Sequence, residues 1–167
     1  MKQLALDIGL ATGPALGNYF AGANEAALQH LRLWVGQGSQ QATRAPVPTY
    51  LWGAPGSGKS HLLKAVASAL REQGASVGWL DPSVHARPEF DERWAAVLLD
   101  DVHLYSTAQQ ALAFNWFVNA TSPGSGAPRW VLAAGSVPPA DLPLRDDLRT
   151  RLGWGHVFQL QSLDEAA

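Results

Sequence analysis

The chain carries the run Gly53-Ala54-Pro55-Gly56-Ser57-Gly58-Lys59-Ser60 between an apolar stretch, 50–52, and a helix-like segment, 61–66. Glycines in such a loop let backbone N–H groups curl around an anion, and the following helix points its positive dipole end at it. We expect Lys59 to reach the β- and γ-phosphates of a nucleotide and Ser60 to offer its hydroxyl to Mg²⁺. A Gly/Ser/Lys surface turn is the alternative, but the flanking strand and helix favour a phosphate-binding loop. The sequence therefore predicts binding of a nucleoside di- or triphosphate.

Length and composition limit the classes of protein that fit. The 167 residues are enough for one domain with a five-stranded α/β core. The net charge of −2 gives no reason to expect broad nucleic-acid binding, and no apolar run approaches the roughly 18 residues of a membrane span. The N-terminus lacks a secretion signal, and the absence of cysteine excludes disulfides and thiolate metal sites. We expect a cytosolic protein without membrane contact, and core packing for its seven tryptophans.

From residue 49 onward, apolar runs typical of strands alternate with segments typical of helices, which predicts a parallel sheet with crossover helices. Before them, Asn24 is predicted to cap a helix, and a polar connector over 36–48 follows that helix. The apolar residues of this first helix recur at helical spacing: Ala27, Leu28, Leu31 and Val35. The predicted strands are 49–53, 77–81, 96–100, 130–134 and 156–160, and the predicted helices between them are 59–73, 106–120 and 140–151.

Polar residues end two of these strands. Asp100 is expected to hold Mg²⁺ directly or through water, and Asp101 to orient or deprotonate the attacking water. The alternative is a solvated acidic turn. The run 131–135 leads to Ser136, which we expect near the γ-phosphate if its strand lies between the other two motif strands.

Three arginines, Arg145, Arg149 and Arg151, lie on a short helix-like segment near the end of the chain. They are either a solvated helix with Asp–Arg pairs of little energetic consequence or the source of an arginine finger. An arginine finger is a guanidinium that stabilises charge on a phosphoryl group in a neighbouring subunit.

Together these motifs resemble those of the AAA+ ATPases, specifically the branch of the bacterial replication initiator DnaA. The run Arg151-Leu152-Gly153-Trp154-Gly155 is similar to the arginine-finger motif of that branch, with Arg151 at the finger position. The run 18–24 resembles its adenine-side segment, which implies nucleotide contacts for Tyr19, Phe20 and Gly22. The resemblance covers about residues 16–163.

Within this branch, the head of the chain resembles the Hda family of regulatory inactivators. Its residues 3–8 look like the short peptide that docks proteins onto the replicative sliding clamp; an edge strand or a disordered terminus is the alternative. The run Ser60-His61-Leu62-Leu63 and the pair Pro138-Pro139 also look like that family, which places His61 with the nucleotide-binding residues. The residues expected to enter the clamp are Gln3, Leu4, Leu6 and Ile8.

The resemblance implies an indirect function. Such proteins bind ADP, associate with the DNA-loaded clamp (the β subunit of DNA polymerase III) and contact ATP-bound DnaA, and for this chain we expect ADP or ATP with Mg²⁺. Arg151 would then promote hydrolysis of the initiator's ATP in trans, which switches off reinitiation of chromosome replication. The chain itself would be a weak ATPase at most, would meet DNA only through the clamp, and would be found in the cytoplasm at the nucleoid. A nucleotide-dependent homodimer through the same arginine face is also expected.

Two features depart from the family pattern. The sequence ends at Ala167 without the expected C-terminal helical lid, so it is either a fragment or a lidless variant, and Ser136 stands where DnaA and Hda usually carry Asp. The expected layout is a clamp-binding tail over 1–15, an AAA+ core over 16–163 and the chain end over 164–167.

Three other functions remain open. An initiator DnaA proper would need a C-terminal helix-turn-helix domain and a basic surface, neither of which the sequence shows, and a fragment of one is not expected to begin with a clamp-type peptide. A helicase or transposition loader has the same fold with a different partner. A small-molecule phosphotransferase needs a substrate pocket and an arginine-rich lid.

Overall fold

The fold alternates strands and helices in a computed structural model that describes residues 24–35, 47–54, 57–122 and 127–161. Two short 3-10 helices cover Val102–Leu104 and Pro139–Asp141. In chain order, the α-helices are α1 (Glu25–Val35), α2 (Lys59–Glu72), α3 (Thr107–Thr121) and α4 (Asp146–Leu152). The strands are β1 (Thr49–Trp52), β2 (Ser76–Leu80), β3 (Trp94–Leu99), β4 (Trp130–Gly135) and β5 (His156–Gln159).

The five strands form one parallel sheet in the order β2-β3-β4-β1-β5. Strand β4 lies between β1 and β3, with Gly135 opposite Trp52 and Ala133 opposite Leu99. The predicted five-stranded parallel sheet is confirmed, and so is the placement of β4 between the two motif strands. Because the strands are parallel, the carboxyl ends of β1, β3 and β4 meet at one edge, where open α/β sheets bind their ligands.

A hydrophobic core lies on each face of the sheet, because neighbouring residues of a strand point to opposite faces. Leu51 packs on the face covered by α1 and α2, whereas Tyr50 packs on the face covered by α3 and α4. Strand β4 is buried along its whole length, as expected of a parallel sheet covered on both sides. The predicted apolar spacing of α1 is confirmed, because four of its residues are buried: Ala27, Leu28, Leu31 and Val35.

The start of α1 is joined to the segment after β5. Asn24 directly precedes α1, where the sequence predicts a cap. Its Nδ2 donates to the carbonyl oxygen of Gln161 at 3.2 Å, and the N–H of Gln161 donates to its Oδ1 at 2.7 Å. Asn24 therefore bridges two elements that are distant in the sequence.

The predicted helix over 140–151 is wrong in its first half. The chain there forms the second 3-10 helix and an extended Leu142 before α4 begins at Asp146. Pro143 explains the difference, because proline lacks an N–H and disfavours the helical conformation of the residue before it. The other predicted strands and crossover helices agree with the structure within one or two residues at each end.

Core packing of tryptophan is confirmed for Trp116 and Trp130, which are buried, but it is wrong for Trp154, which is 61% exposed. Within the described ranges, no helix combines the length and apolarity that crossing a membrane demands. The described residues end at Gln161, just after β5, and include no helical lid.

Candidate functional site

The predicted phosphate-binding loop follows β1 directly. The N–H of Ser57 donates to the carbonyl oxygen of Ala54 at 3.1 Å, and Gly58 has a left-handed φ of 90° just before α2. A side chain would strain the backbone at that φ. The carbonyl oxygen of Leu160 comes so near Gly53 that a Cβ there would lie 2.7 Å from it. Backbone geometry therefore requires two of the glycines in the motif.

Lys59 is buried at the start of α2, with its ammonium against the loop. Its Nζ donates to the carbonyl oxygens of Gly53 at 2.9 Å and Ala54 at 3.4 Å. Burial lowers the pKa of Lys59, and the carboxylates of Asp101 and Asp100 act in the opposite direction. Its hydrogen-bond acceptors among the described residues are neutral carbonyls, which leaves its charge available to a phosphate.

The two predicted magnesium ligands meet in the fold. The Oγ of Ser60, on α2, donates to the Oδ2 of Asp100 at 2.8 Å. Asp100 directly follows β3, is 4% exposed, and accepts the N–H of Asp101 on its other oxygen at 3.0 Å. Burial raises the pKa of Asp100, and the hydrogen bond from Ser60 lowers it in part. The carboxylate of Asp100 and the hydroxyl of Ser60 are thus in contact beside the phosphate-binding loop.

Asp101 turns the chain after β3. Its φ of 51° is the one left-handed value of a non-glycine residue in the described ranges. Aspartate tolerates this region better than most residues, and such conformations cluster at functional sites. The turn starts the first 3-10 helix and directs the chain back toward α2.

His103 lies on that 3-10 helix, in electrostatic range of Asp101 and Lys59. Burial lowers the pKa of His103, and its Nδ1 is buried with no hydrogen-bond partner in the part of the chain that the structure describes. The sequence analysis missed this histidine, because only the left-handed turn at Asp101 brings it to the site.

Ser136 directly follows β4 and is half-buried. The N–H of Gly53 donates to the carbonyl oxygen of Gly135 at 3.3 Å, so Ser136 lies next to the start of the phosphate-binding loop. The structure brings Ser136 to the same edge of the sheet as Asp100, as the sequence predicts. Its contact with a γ-phosphate stays a prediction.

These residues fit a nucleotide held with Mg²⁺. Mg²⁺ usually takes one or two carboxylates and completes its shell with phosphate oxygens and water. The pair of Ser60 and Asp100 matches that ligand set, and the ammonium of Lys59 matches a phosphate. No group of three or more His, Asp or Glu side chains that could hold a metal without a nucleotide occurs in the ranges described.

Two of the three arginines near α4 are ion-paired. The Nε of Arg145 lies 2.7 Å from the Oδ1 of Asp147, and both side chains of this ion pair are exposed. Arg149 pairs with Asp146 and donates to the carbonyl oxygen of Leu144 at 2.9 Å. Arg149 therefore helps to hold the loop before α4.

Arg151 differs from both. Its guanidinium lies 5.5 Å from the ring of Phe114, on α3, and 5.3 Å from the ring of Trp154. Its side chain has no hydrogen bond or ion pair with any residue that the structure describes. Sequence analysis missed the two rings as partners of Arg151, because the motif alone does not say where α3 lies.

Of the remaining predicted residues, His61 is described: it follows Ser60 on α2 and is half-buried. The others lie outside the described ranges. The predicted nucleotide contacts outside the described residues are Tyr19, Phe20, Gly22, Pro55 and Gly56, and the predicted clamp contacts there are Gln3, Leu4, Leu6 and Ile8.

Solved structures with this fold include replication proteins. Domain III of the replication initiation protein DnaA from Thermotoga maritima matches with a TM-score of 0.72 and 19% identity, over 94% of this chain and 71% of that chain. AMPPCP-bound DnaA from Aquifex aeolicus matches with a TM-score of 0.70 and 19% identity, over 92% of this chain and 51% of that chain. A putative primosome component from Streptococcus pyogenes serotype M3 matches with a TM-score of 0.62 and 19% identity, over 89% of this chain and 86% of that chain.

These likenesses establish the fold of the chain. It is the α/β fold of an AAA+ domain, with a five-stranded parallel sheet between helices. At such identities a shared fold does not carry a shared activity. The chain spans about half the length of two DnaA structures and a DNA replication initiation factor that it matches. No family model matches the chain.

Proposed function

We propose that this chain binds ADP or ATP with Mg²⁺ in its phosphate-binding loop and acts through Arg151 on the nucleotide of a second protein. In its most specific form, the proposal is an Hda-type regulator of replication initiation. Such a regulator, attached to the DNA polymerase sliding clamp, stimulates hydrolysis of the ATP bound to DnaA.

The observation that carries the proposal is the guanidinium of Arg151, which no described carboxylate pairs. The neighbouring Arg145 and Arg149 are each neutralised by a carboxylate, whereas the contacts of Arg151 are two aromatic rings. None of its described contacts is with Lys59 or the other residues of this chain's own loop. An uncompensated, half-buried arginine of this kind is suited to a phosphoryl group supplied by another molecule.

The chain's own site would shape the interface more than perform chemistry. A bound Mg²⁺ neutralises charge on the phosphates, and Ser60 and Asp100 would hold it. Asp101 would orient a water, whereas Ser136 would donate a hydrogen bond without adding charge. We therefore expect slow hydrolysis at most by this chain. In the partner's site, a guanidinium supplied in trans is worth about 10³–10⁵ in rate.

Attachment to the clamp is the second half of the proposal. It assigns a clamp-binding tail to residues 1–15, the AAA+ core to 16–163 and the chain end to 164–167. DNA would be reached through the clamp, which implies a cytoplasmic location at the nucleoid. A nucleotide-dependent homodimer would form through the face of this chain that is proposed to contact DnaA, because Arg151 would reach the nucleotide of either partner.

The test measures hydrolysis of ATP pre-bound to the cognate DnaA on clamp-loaded DNA. The parent protein should stimulate hydrolysis, and Arg151→Ala should not, while it still binds nucleotide and clamp. Arg145→Ala is the matched control, because that arginine is also on this surface but is ion-paired to Asp147. Equal stimulation by the parent protein and by Arg151→Ala would contradict the proposed role of Arg151 as an arginine finger.

The clamp is tested separately by a pull-down with the purified β subunit. The double change Gln3→Ala with Leu6→Ala should abolish capture and leave nucleotide affinity unchanged. Clamp binding that survives the double change would contradict the proposed tail.

A helicase or transposition loader of the DnaA branch is the second candidate. It is favoured by the likeness to the putative primosome component, which this chain matches over 86% of that chain. Such a loader would bind the replicative helicase and not the clamp, so a pull-down with the helicase beside the one with the β subunit separates the two candidates.

A further inference from the structure

The guanidinium of Arg151 lies over the rings of Trp154 and Phe114, and we propose that Trp154 stacks on it as a positioning residue that holds Arg151 with its N–H donors free for a phosphoryl group. The carbon of the guanidinium lies 5.3 Å from the centre of the Trp154 ring and 5.5 Å from the centre of the Phe114 ring. Both distances are within the range of about 6 Å at which a cation is attracted to an aromatic face. The role, although not the geometry, rests on the proposed function of Arg151.

Stacking and ion pairing use different parts of a guanidinium. A carboxylate binds the N–H donors at the edge of the plane, whereas a ring contacts the flat face. Arg145 donates its Nε–H and one terminal N–H to the carboxylate of Asp147, at 2.7 and 2.8 Å. Arg151, held by rings, keeps its edge donors, and no described carboxylate cancels its charge.

The position of Trp154 is fixed by the glycines on both sides of it. A Cβ on Gly153 would lie 3.1 Å from the Cβ of Pro139, and a Cβ on Gly155 would lie 2.2 Å from the carbonyl oxygen of Pro48. The N–H of Trp154 also donates to the carbonyl oxygen of Arg151 at 3.1 Å. The two glycines let the backbone on either side of Trp154 lie close to Pro139 and Pro48, and the hydrogen bond holds Trp154 at the end of α4, beside Arg151.

Packing of the hydrophobic core does not explain why a tryptophan stands at position 154, since its side chain is largely exposed. The side chain is 61% exposed, although its ring centre is 6.4 Å from that of the buried Phe117. Arg145 lies 5.1 Å from the Phe114 ring, but Asp147 neutralises it, which limits repulsion between the two guanidinium groups. Around α4, the described residues therefore present one uncompensated cation framed by aromatic faces.

The geometric half is tested by NMR of the arginine Nε–H groups in the full chain. Stacking between rings predicts an upfield ring-current shift for Arg151, whose signal is assigned by its loss in Arg151→Lys. Trp154→Ala should move this signal toward the position of exposed arginines, and Trp154→Phe should restore part of the shift. An Arg151 signal that Trp154→Ala leaves in place overturns the proposal, with or without a known partner.

The functional half is tested by the maximal rate and the half-saturating concentration of stimulated hydrolysis in the partner. Trp154→Ala should lower the maximal rate by about tenfold, because a small misplacement of a catalytic group costs rate. Trp154→Phe should recover most of the loss, and thermal unfolding should show that all variants fold. A change confined to the half-saturating concentration would make Trp154 a docking residue and overturn the positioning role.

The two failures are distinguishable. If the parent protein stimulates no hydrolysis, the proposed function fails, and the NMR result alone decides the stacking. If the parent stimulates and Trp154→Ala reaches the same maximal rate, the proposed function stands and the positioning role falls.

Discussion

The hydroxyl of Ser60 donates a 2.8 Å hydrogen bond to the carboxylate of Asp100, which lies 40 residues further along the chain. The bond joins the first turn of α2 to the end of β3, so it links two motifs that the sequence offers separately. It also places a carboxylate that is 4% exposed where only a cation or a hydrogen-bond donor can compensate it.

Asp100→Asn should therefore stabilise the protein in the absence of Mg²⁺ and nucleotide, increasingly so as the pH rises. Burial raises the folded-state pKa of Asp100 above its ordinary value of 3.8. The parent protein then loses stability as the pH rises from that value through the raised one, because the unfolded chain ionises first. The amide of the variant has no such transition and can still accept a hydrogen bond from Ser60.

Urea denaturation of both proteins at pH values from about 3 to about 8 measures how the difference in their free energy of unfolding changes with pH. This range includes the ordinary pKa of carboxyl groups. The difference between the two proteins isolates Asp100 from other carboxylates, such as Asp81, whose pKa is lowered. A difference that shrinks with rising pH would contradict the expectation. The same variant should lose the Mg²⁺ dependence of nucleotide binding.

Lys59→Ala should weaken nucleotide binding by about 10–100-fold, the cost of losing one or two hydrogen bonds from a charged donor. Titration of a fluorescent nucleotide analogue measures this. Lys64→Ala is the matched control, because Lys64 is an exposed lysine on the same helix and should leave the affinity unchanged. Equal affinities for all three proteins would reject the phosphate-binding assignment.

Arg149→Ala should destabilise the fold by about 1–2 kcal/mol, because it removes a charged donor from the carbonyl oxygens of Leu142 and Leu144. Arg145→Ala removes an exposed ion pair and should cost less than about 1 kcal/mol. Chemical denaturation with a common slope compares the two. A larger loss for Arg145→Ala would mean that the loop before α4 is held by other contacts.

Gly135→Ala should destabilise strongly, because a Cβ there would lie 2.3 Å from the hydroxyl of Tyr50. Tyr50→Phe alone should cost about 1–2 kcal/mol, since its hydroxyl donates a 2.6 Å hydrogen bond to the carbonyl oxygen of Val137. The double variant should be more stable than the sum of the two losses predicts, because Phe removes the atom that the new methyl group meets. Additive losses would show that Val102, the next contact at 3.1 Å, is the real obstacle.

Much of the candidate site is local in sequence and was predictable for that reason. The run from Gly53 to Ser60 has a fixed order of glycines and a lysine, and its strand and helix flank it directly. Asp100 and Ser136 each follow an apolar run, and parallel strands bring their carboxyl ends to one edge. The positions of these three motifs therefore followed once the parallel sheet was predicted.

The features that the sequence did not predict depended on one proline, on one backbone angle or on contacts between residues distant in sequence. Pro143 shortened the last helix, a local effect that the amphipathic pattern of 140–151 concealed. His103 entered the site through the left-handed turn at Asp101, for which no residue pattern is diagnostic. The stacking of Arg151 depends on α3, which supplies Phe114 from another part of the chain.

The sequence by itself determined the sheet and the phosphate-binding loop, because short-range order and hydrophobic period are expressed in consecutive residues, and its resemblance to the DnaA branch indicated Arg151 as the candidate finger. Only the tertiary structure decided which of the three arginines is uncompensated among the described residues. Arg149 and Arg151 are two positions apart on α4 and therefore point in different directions. One meets the carbonyl oxygens of a loop and the other meets two aromatic rings, and that difference is a property of packing that no spacing in the sequence expresses.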